Sequence, residues 1–153
     1  MATILPARPE HAVAILAIQK RAFEAEALLC HEREIPPLTE TLDSVMAQIA
    51  VAQVLVAVED GRVVGSIRGT LADGTCSIER LSVDLGFQGH GLGSALLTVL
   101  ERSLPEAARF ELLTNQAMDG NVRFYVRHGY RVVDTLVHSD RITLVRMGKE
   151  VVA

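Results

Sequence analysis

The chain has 153 residues, a net charge of -4 and a hydrophobic fraction of 49%. This length suits one domain, and the apolar content is enough for an ordinary core and excludes a disordered chain. Because the net charge is negative, there is no bulk attraction for nucleic acid or for an anionic membrane. An anionic ligand would therefore need a site built for it.

Cysteine and histidine usage argues against disulfide and metal chemistry. Cys30 and Cys76 do not form a C-x-x-C pair, so we predict free thiols in a reducing compartment. Residues 1–10 lack the pattern of a signal peptide, and no apolar run is long enough to span a membrane. We therefore expect a single cytoplasmic domain over residues 1–153, with neither nucleic acid nor membrane as a partner. No metal is expected, because none of the five histidines pairs at ligand spacing: His11, His31, His90, His128 and His138.

The first third of the chain predicts a strand followed by two helices. Residues 2–5 are a short apolar run, typical of a strand, and the Pro-Glu pair at 9–10 suits the first turn of a helix. Two prolines predict a loop over residues 30–38, because proline cannot continue a helix. Thr39 then caps a second predicted helix that runs to about Ala50.

The middle of the chain predicts an antiparallel meander of three strands. The strands cover residues 54–59, 62–71 and 75–83, and they have the short, apolar composition of sheet segments. Asp-Gly pairs at 60–61 and 73–74 separate them, and this dipeptide is a strong hairpin signal.

The remaining segments complete a mixed α+β fold. An amphipathic helix begins near Leu92 and is ended by Pro105, and residues 119–128 predict another helix that Gly129 stops. Strands are predicted at 110–114, 130–133 and 141–147. We therefore predict a mostly antiparallel sheet of six or seven strands, with about four helices on its faces.

A glycine-rich entry to the helix near Leu92 is the most informative segment. Gly89, Gly91 and Gly93 follow a strand and lead into the helix, so backbone N–H groups can approach a ligand without obstruction by a Cβ atom. The N-terminus of the helix adds unpaired donors and a partial positive charge. Together these features predict a pyrophosphate site that needs no lysine.

Neither a P-loop nor a dinucleotide fingerprint accounts for these glycines. A P-loop requires Gly-Lys-Ser/Thr, and the segment has no lysine. A dinucleotide fingerprint requires a third glycine, but Ser94 and Leu96 occupy that place, counted from Gly89 and Gly91 respectively. Glycines that only relieve packing at a helix entrance remain as the alternative, although each costs about 1 kcal/mol against alanine.

Two motifs resemble the GNAT superfamily of N-acetyltransferases. Gln88, Gly91 and Gly93 match its Gln/Arg-x-x-Gly-x-Gly/Ala signature. Residues 121–130 resemble the next motif of that family, at the expected distance. The order of elements fits too, so the resemblance covers nearly the whole chain. His90 departs from the family, which often has Lys or Arg there, and this makes a charged phosphate contact weaker and dependent on pH.

The resemblance implies acetyl-CoA as co-substrate and a splay between the strand of Leu81 and Val83 and the strand over residues 110–114. Splayed strands leave backbone groups unpaired, and the pantetheine arm of the coenzyme can bind them as a pseudo-strand. The residues expected to bind the coenzyme are Leu81, Ser82, Val83, Gln88, Gly89, His90, Gly91, Leu92, Gly93, Ser94, Asn121 and Tyr125.

Asn121 and Tyr125 lie four residues apart on a predicted helix and therefore share a face. The resemblance implies that Asn121 contacts the coenzyme and that Tyr125 protonates the departing thiolate, a task that suits a weak acid. The alternatives are a core aromatic residue for Tyr125 and a simple helix-start residue for Asn121.

Glu79 is the candidate general base, acting through water on the attacking amine. Strict alternation places it on the same face as Leu81 and Val83, although a bulge would change this. The alternative is a carboxylate that faces solvent. Cys76 falls one residue off that face and has no evident histidine partner, so we expect direct attack rather than an acyl-enzyme.

The expected acceptor is a primary amine of a small molecule or peptide. An acidic excess around the first two helices favours a cationic amine, with a solvated helical face as the alternative. A non-catalytic module that senses acyl-CoA is the competing function, and the oligomeric state is left open, with a homodimer as one option. The acids are Glu24, Glu26, Glu32, Glu34, Glu40 and Asp43, against Lys20, Arg21 and Arg33.

Overall fold

The protein, described over residues 1–152 by a computed structural model, folds into a seven-stranded sheet with five helices. The strands are β1 Thr3–Pro6, β2 Gln53–Glu59, β3 Arg62–Ala72, β4 Thr75–Val83, β5 Arg109–Asn115, β6 Arg131–Val137 and β7 Thr143–Glu150. The helices are α1 Ala12–Cys30, α2 Pro36–Thr39, α3 Leu42–Val51, α4 Leu92–Ser103 and α5 Asp119–Arg127. The predicted α+β class is confirmed, with one helix more than expected.

The strand order in the sheet is β1-β2-β3-β4-β5-β7-β6, and only the β4–β5 pair is parallel. The predicted meander and both hairpins are confirmed. Asp60 and Gly61 have φ of 52° and 75°, and Asp73 and Gly74 have φ of 52° and 79°. Positive φ at both central residues is the conformation of a type I′ turn, whose twist matches that of the flanking strands.

A splay between β4 and β5 opens the middle of the sheet. The two strands pair only from Thr75 opposite Arg109 to Ile78 opposite Leu112. Beyond this point the last five residues of β4 have no ladder partner on β5. The splay that the family resemblance implied is therefore present, and it leaves backbone donors and acceptors available on the facing edges.

A β-bulge interrupts β4 immediately beyond its last pair with β5. The register between β3 and β4 shifts at Ile67, and Arg80 and Leu81 stand together opposite this one residue. Arg80 has φ of 58°, in the left-handed region that residues other than glycine rarely adopt. A bulge adds one residue to a strand, so it reverses the alternation of side chains beyond it.

The bulge makes the predicted alternation of β4 wrong. Leu81 and Val83 pack with Cys76 against the core beneath α4. Glu79 instead stands opposite Arg68, and cross-strand partners share a face. The guanidinium of Arg68 lies on the α1 side of the sheet. Glu79 therefore does not share a face with Leu81 and Val83, whereas Cys76 does.

Two details of the helices also differ from expectation. Residues 36–38 were expected in a loop, but Pro36 opens the short helix α2, because its fixed φ suits the first helical position. The cap of α3 is Thr41 rather than Thr39, and its hydroxyl accepts a hydrogen bond of 3.1 Å from the backbone N–H of Ser44.

Helices cover both faces of the sheet. Leu96, Leu97 and Leu100 of α4 pack on one face, in the largest hydrophobic core. Ile15 and Ile18 of α1 pack on the other face, together with α3. The face of the sheet covered by α4 is called the α4 side, and the face covered by α1 and α3 is called the α1 side. The splay between β4 and β5 is open to both sides.

Candidate active site

A cleft of about 1220 Å³ follows the splay between β4 and β5. Its walls come from both strands, the loop after β4, the first turn of α4, α5 and the middle of α1. Two of the predicted site residues, Ser82 and His90, do not line it. The others do: Glu79, Leu81, Val83, Gln88, Gly89, Gly91, Leu92, Gly93, Ser94, Asn121 and Tyr125.

The glycine-rich loop leaves open space where side chains would stand. Gly89 and Gly91 both have φ of 82°, and a Cβ atom at either would meet no protein atom within 4 Å. Packing therefore does not require these two glycines. A Cβ at Gly93 would make ordinary contact, 3.7 Å from the ring of Phe124. The open space over Gly89 and Gly91 lies in the cleft, where a ligand can approach the backbone.

The N-terminus of α4 points its free donors at the same space. Gly91 is the N-cap residue, and no side chain caps the helix there. The first N–H groups of a helix have no partner within the helix, and the dipole adds positive potential. This turn can therefore bind phosphate oxygens without a basic side chain.

Hydrogen bonds hold the loop that leads to α4. The side-chain amide of Gln88 donates to the carbonyl of Val83 over 3.0 Å, so this carbonyl is already occupied. Asp84, at the start of the loop, is bound by Arg21 at 3.1 Å and by Arg62 at 3.0 Å. Arg21 is the main reason why the pKa of Asp84 is lowered. The loop is thus tied to both α1 and β3.

Tyr125 and Asn121 line the cleft from one face of α5. Tyr125 is 9% exposed, and its ring packs edge-on against Phe124 at 5.1 Å and Tyr130 at 5.7 Å between centroids. Burial raises the pKa of the Tyr125 hydroxyl, which therefore keeps its proton at neutral pH. A protonated hydroxyl in the cleft has the chemistry of a weak acid.

Glu79 lines the α1 side of the cleft with a half-exposed side chain. Its carboxylate lies 3.5 Å from the guanidinium of Arg80, and 46% of its side chain is exposed. It is therefore partly neutralised by a cation and in contact with solvent. The carboxylate of Glu79 therefore faces solvent, as the alternative drawn from the sequence expected. The role of Glu79 as a general base stays a prediction.

A buried ion cluster holds the bulge of β4, and local sequence patterns did not reveal it. Arg68 binds Glu40 with both terminal nitrogens, at 3.0 and 3.1 Å, and Arg80 binds the same carboxylate at 3.2 Å. Gln19 and Ser44 donate to it as well, at 3.0 and 2.7 Å. Burial alone would raise the pKa of Glu40, but the hydrogen bonds from Arg68, Ser44 and Gln19 outweigh it and lower this pKa to about 2.

Glu26 and Arg127 both line the cleft. The sequence placed Glu26 among the six acids around the first helices without distinguishing it from the others, and nothing in the sequence pointed to Arg127. Glu26 lies on α1, where burial raises the pKa of its carboxyl, and the side-chain amide of Asn115 lowers it by a smaller amount. The sequence could not show that these two residues face the cleft. Each lies on a helix, and which of its residues face the cleft depends on how that helix packs against the sheet.

Metal-binding clusters and membrane-spanning helices are absent from the described part of the chain. Within residues 1–152, no three His, Cys, Asp or Glu side chains are grouped so that they could hold a metal ion. None of the described helices has the length and apolar character needed to cross a membrane.

Comparison with known proteins identifies the family. The family model described as an acetyltransferase (GNAT) domain matches residues 26–151. An uncharacterized N-acetyltransferase of Methanocaldococcus jannaschii is 40% identical over 79 residues, which are 50% of this chain and 51% of that protein. The match thus spans about half the length of this curated relative.

Solved structures share the fold at low sequence identity. The PaiA N-acetyltransferase of Thermoplasma acidophilum, in complex with coenzyme A, has a TM-score of 0.86 at 15% identity and covers 99% of both chains. The ribosomal-protein-S18-alanine N-acetyltransferase of Escherichia coli has a TM-score of 0.80 at 17% identity, over 98% of this chain and 94% of that one. A GNAT family acetyltransferase of Elizabethkingia anophelis with acetyl-CoA bound has a TM-score of 0.61 at 15% identity, over 72% and 84%. Since the GNAT model covers most of the sequence and the fold agrees over its full length, this chain belongs to the GNAT acetyltransferase family.

Proposed function

We propose that the protein transfers an acetyl group from acetyl-CoA to a primary amine by direct attack. The observation that carries this proposal is the splay between β4 and β5, which leads directly to the uncapped N-terminus of α4. Unpaired backbone on β4 suits the amides of pantetheine, and the helix N-terminus suits the pyrophosphate. All three solved structures described above are of acetyltransferases by name, and two of them contain coenzyme A or acetyl-CoA.

The proposed coenzyme site extends from β4 to α5. The backbone of Leu81 and the N–H group of Val83, whose carbonyl is occupied by Gln88, face the pantetheine and the acyl carbonyl, where a backbone donor stabilises the oxyanion as the amine attacks. The free N–H groups between Gly89 and Ser94 bind the pyrophosphate. Arg127 adds a cation in the same cleft for an anionic coenzyme.

The proposed reaction needs one proton donor and one proton acceptor. As the amine nitrogen bonds to the acetyl carbon, the carbon–sulfur bond breaks and the thiolate takes a proton from the hydroxyl of Tyr125. The ammonium form of the acceptor first loses one proton to Glu79 through water, which frees the lone pair for attack. The second proton leaves the nitrogen as the amide forms and, through water, replaces the one that Tyr125 gave up. Cys76 is a poor nucleophile for an acyl-enzyme route, because it is fully buried and burial raises its pKa to about 11.

Ligand-dependent thermal unfolding and thiol release test this function. Acetyl-CoA should raise the melting temperature, because its site exists only in the folded chain, and NAD and ATP should do much less. Free thiol should then accumulate when amines are added. Equal stabilisation by NAD would contradict the proposed coenzyme site. Binding without turnover on any amine would instead favour a module that senses acyl-CoA.

A further inference from the structure

We propose that Glu26 binds the ammonium group of the acceptor, and that the acceptor is a primary amine carried on an apolar group. This inference rests on the proposed acetyl transfer and names the class of acceptor for the same cleft. It concerns recognition of the amine, and it is separate from the base role predicted for Glu79.

Glu26 lies near the end of β5 and lines the cleft there. Its carboxylate interacts with the side-chain amide of Asn115, which is only 3% exposed. That amide also donates to the sulfur of Cys30 over 3.1 Å, and its oxygen accepts from the backbone of Ala117 over 2.9 Å. Asn115 lies beyond the last pair of β4 and β5, so Glu26 lies beside the open part of the splay.

The other acids of the cleft are already paired with cations. Glu79 lies 3.5 Å from Arg80, and Glu111 lies 2.9 Å from Arg109. Within the described residues, 1–152, Glu26 has no Lys, Arg or His within ion-pair distance.

The cations on this side are engaged as well. Arg80 is shared between Glu40 and Glu79, and Arg146 of β7 binds Asp134 at 3.0 Å. His138, after β6, is the remaining titratable group that lines the α1 side. A half-buried carboxylate without a cation has lost part of its hydration, which costs free energy. A bound ammonium group offsets this desolvation energy through a charge-assisted hydrogen bond.

The walls around this carboxylate are apolar. Two leucines that face the cleft remain unusually exposed for their size, Leu113 at 46% and Leu136 at 38%. An apolar wall with one charged group selects a ligand of matching shape, with one cationic end on an apolar body. The apolar residues that line this part of the cleft are Phe23, Ile35, Leu113, Leu136, Ile142 and Leu144.

Steady-state acetylation of two small amines tests the inference. 2-Phenylethylamine carries its ammonium group on an apolar body, whereas glycine carries it beside a carboxylate that Glu26 would repel. Wild type should prefer 2-phenylethylamine in kcat/KM by tenfold or more. Glu26→Gln should raise KM for this amine by roughly 10- to 100-fold, the usual range for a lost charge-assisted hydrogen bond, and leave kcat within about twofold.

Glu24→Gln is the matched control on the same helix. It makes the same change in net charge, but Glu24 is paired with Arg33 and does not line the cleft. We expect wild-type KM values for the control. Both variants should keep the rise in melting temperature with acetyl-CoA, which shows that the fold and the coenzyme site are intact.

The outcomes separate this inference from the proposed function. An unchanged KM in Glu26→Gln, a preference for glycine, or turnover of a peptide N-terminus alone would overturn the inference and leave acetyl transfer standing. If acetyl-CoA neither stabilised wild type nor released thiol with any amine, the proposed function itself would fail, and the inference with it.

Discussion

The environment of Tyr125 explains how one buried phenol can serve chemistry as well as packing. The ring is enclosed by aromatic neighbours, and its side chain reaches the cleft. Because burial raises its pKa, the hydroxyl keeps its proton in the resting protein and can donate it, or a hydrogen bond, to the thiolate that forms beside it. Both alternatives drawn from the sequence, a core aromatic and an acid, are compatible with this position, so a kinetic test is needed.

Tyr125→Phe should lower kcat by about 10²- to 10⁴-fold, the range for loss of a general acid. The effect should fall on kcat rather than on KM, because the interaction forms only as the thiolate departs. Thiol release measured with 2-phenylethylamine checks this. A kcat equal to that of wild type would reduce Tyr125 to a packing residue.

Tyr130→Phe is the matched control, since the chain has only two tyrosines. Tyr130 does not line the cleft, and its hydroxyl donates to Glu101 over 2.6 Å. Loss of this hydrogen bond should lower stability by about 1 to 3 kcal/mol and leave kcat near that of wild type.

At the scale of elements, the loop between β4 and α4 combines two requirements on one glycine. Gly91 must adopt positive φ, and it must leave the cleft open above its backbone. Gly91→Val should therefore abolish the acetyl-CoA-dependent rise in melting temperature. The free protein should also lose about 1 to 2 kcal/mol of stability, because a residue with a Cβ is strained there.

Gly61→Val is the control that separates the effect of backbone strain on stability from the effect of Gly91→Val on acetyl-CoA binding. Gly61 has φ of 75° and equally open space around its Cβ position, but it lies in the β2–β3 hairpin and does not line the cleft. This variant should lose similar stability in thermal unfolding and keep the full response to acetyl-CoA. A normal response in Gly91→Val would show that the pyrophosphate binds elsewhere.

At the scale of the whole molecule, the cluster around Glu40 joins the two helices of the α1 side to the sheet. Gln19 of α1 and Ser44 of α3 bind the same carboxylate as Arg68 of β3 and Arg80 of β4. Because Arg80 forms the bulge, the cluster also positions the strand that faces the proposed acyl group. Removing the carboxylate would leave two guanidinium groups poorly compensated, which typically costs about 3 to 5 kcal/mol.

The pKa of Glu40 makes this cluster sensitive to acid. Its folded pKa of about 2 lies below the ordinary value of 4.5, so it contributes stability above pH 4.5 that is lost as the pH falls toward 2. Urea unfolding of wild type and Glu40→Gln should therefore differ by about 3 kcal/mol or more at pH 7, and the gap should shrink as the pH falls from 4.5 toward 2.

Glu34→Gln provides the control for that comparison, since Glu34 is exposed in the loop before α2. It should follow the wild-type pH profile. A gap between wild type and Glu40→Gln that stayed constant from pH 7 to pH 3 would contradict the role assigned to the Glu40 carboxylate.

The sequence by itself determined the family, the order of elements and the glycine-rich loop. These features come from local patterns, in which each signal depends on residues within a turn or two of one another. Examples are the Asp-Gly turns, the apolar face of α4 and the spacing of Gln88, Gly91 and Gly93. The cleft positions of Leu81, Val83, Asn121 and Tyr125 followed from the same motifs, whereas their roles remain proposals.

Only the tertiary structure decided the face of Glu79, the buried cluster and the surroundings of Glu26. Arg80, at the bulge, binds a carboxylate 40 residues earlier in the chain. Glu26 gains its environment from Asn115 of β5, which is distant in sequence. Such contacts depend on how helices dock on a sheet, and that geometry is set by packing of the whole core rather than by any local pattern.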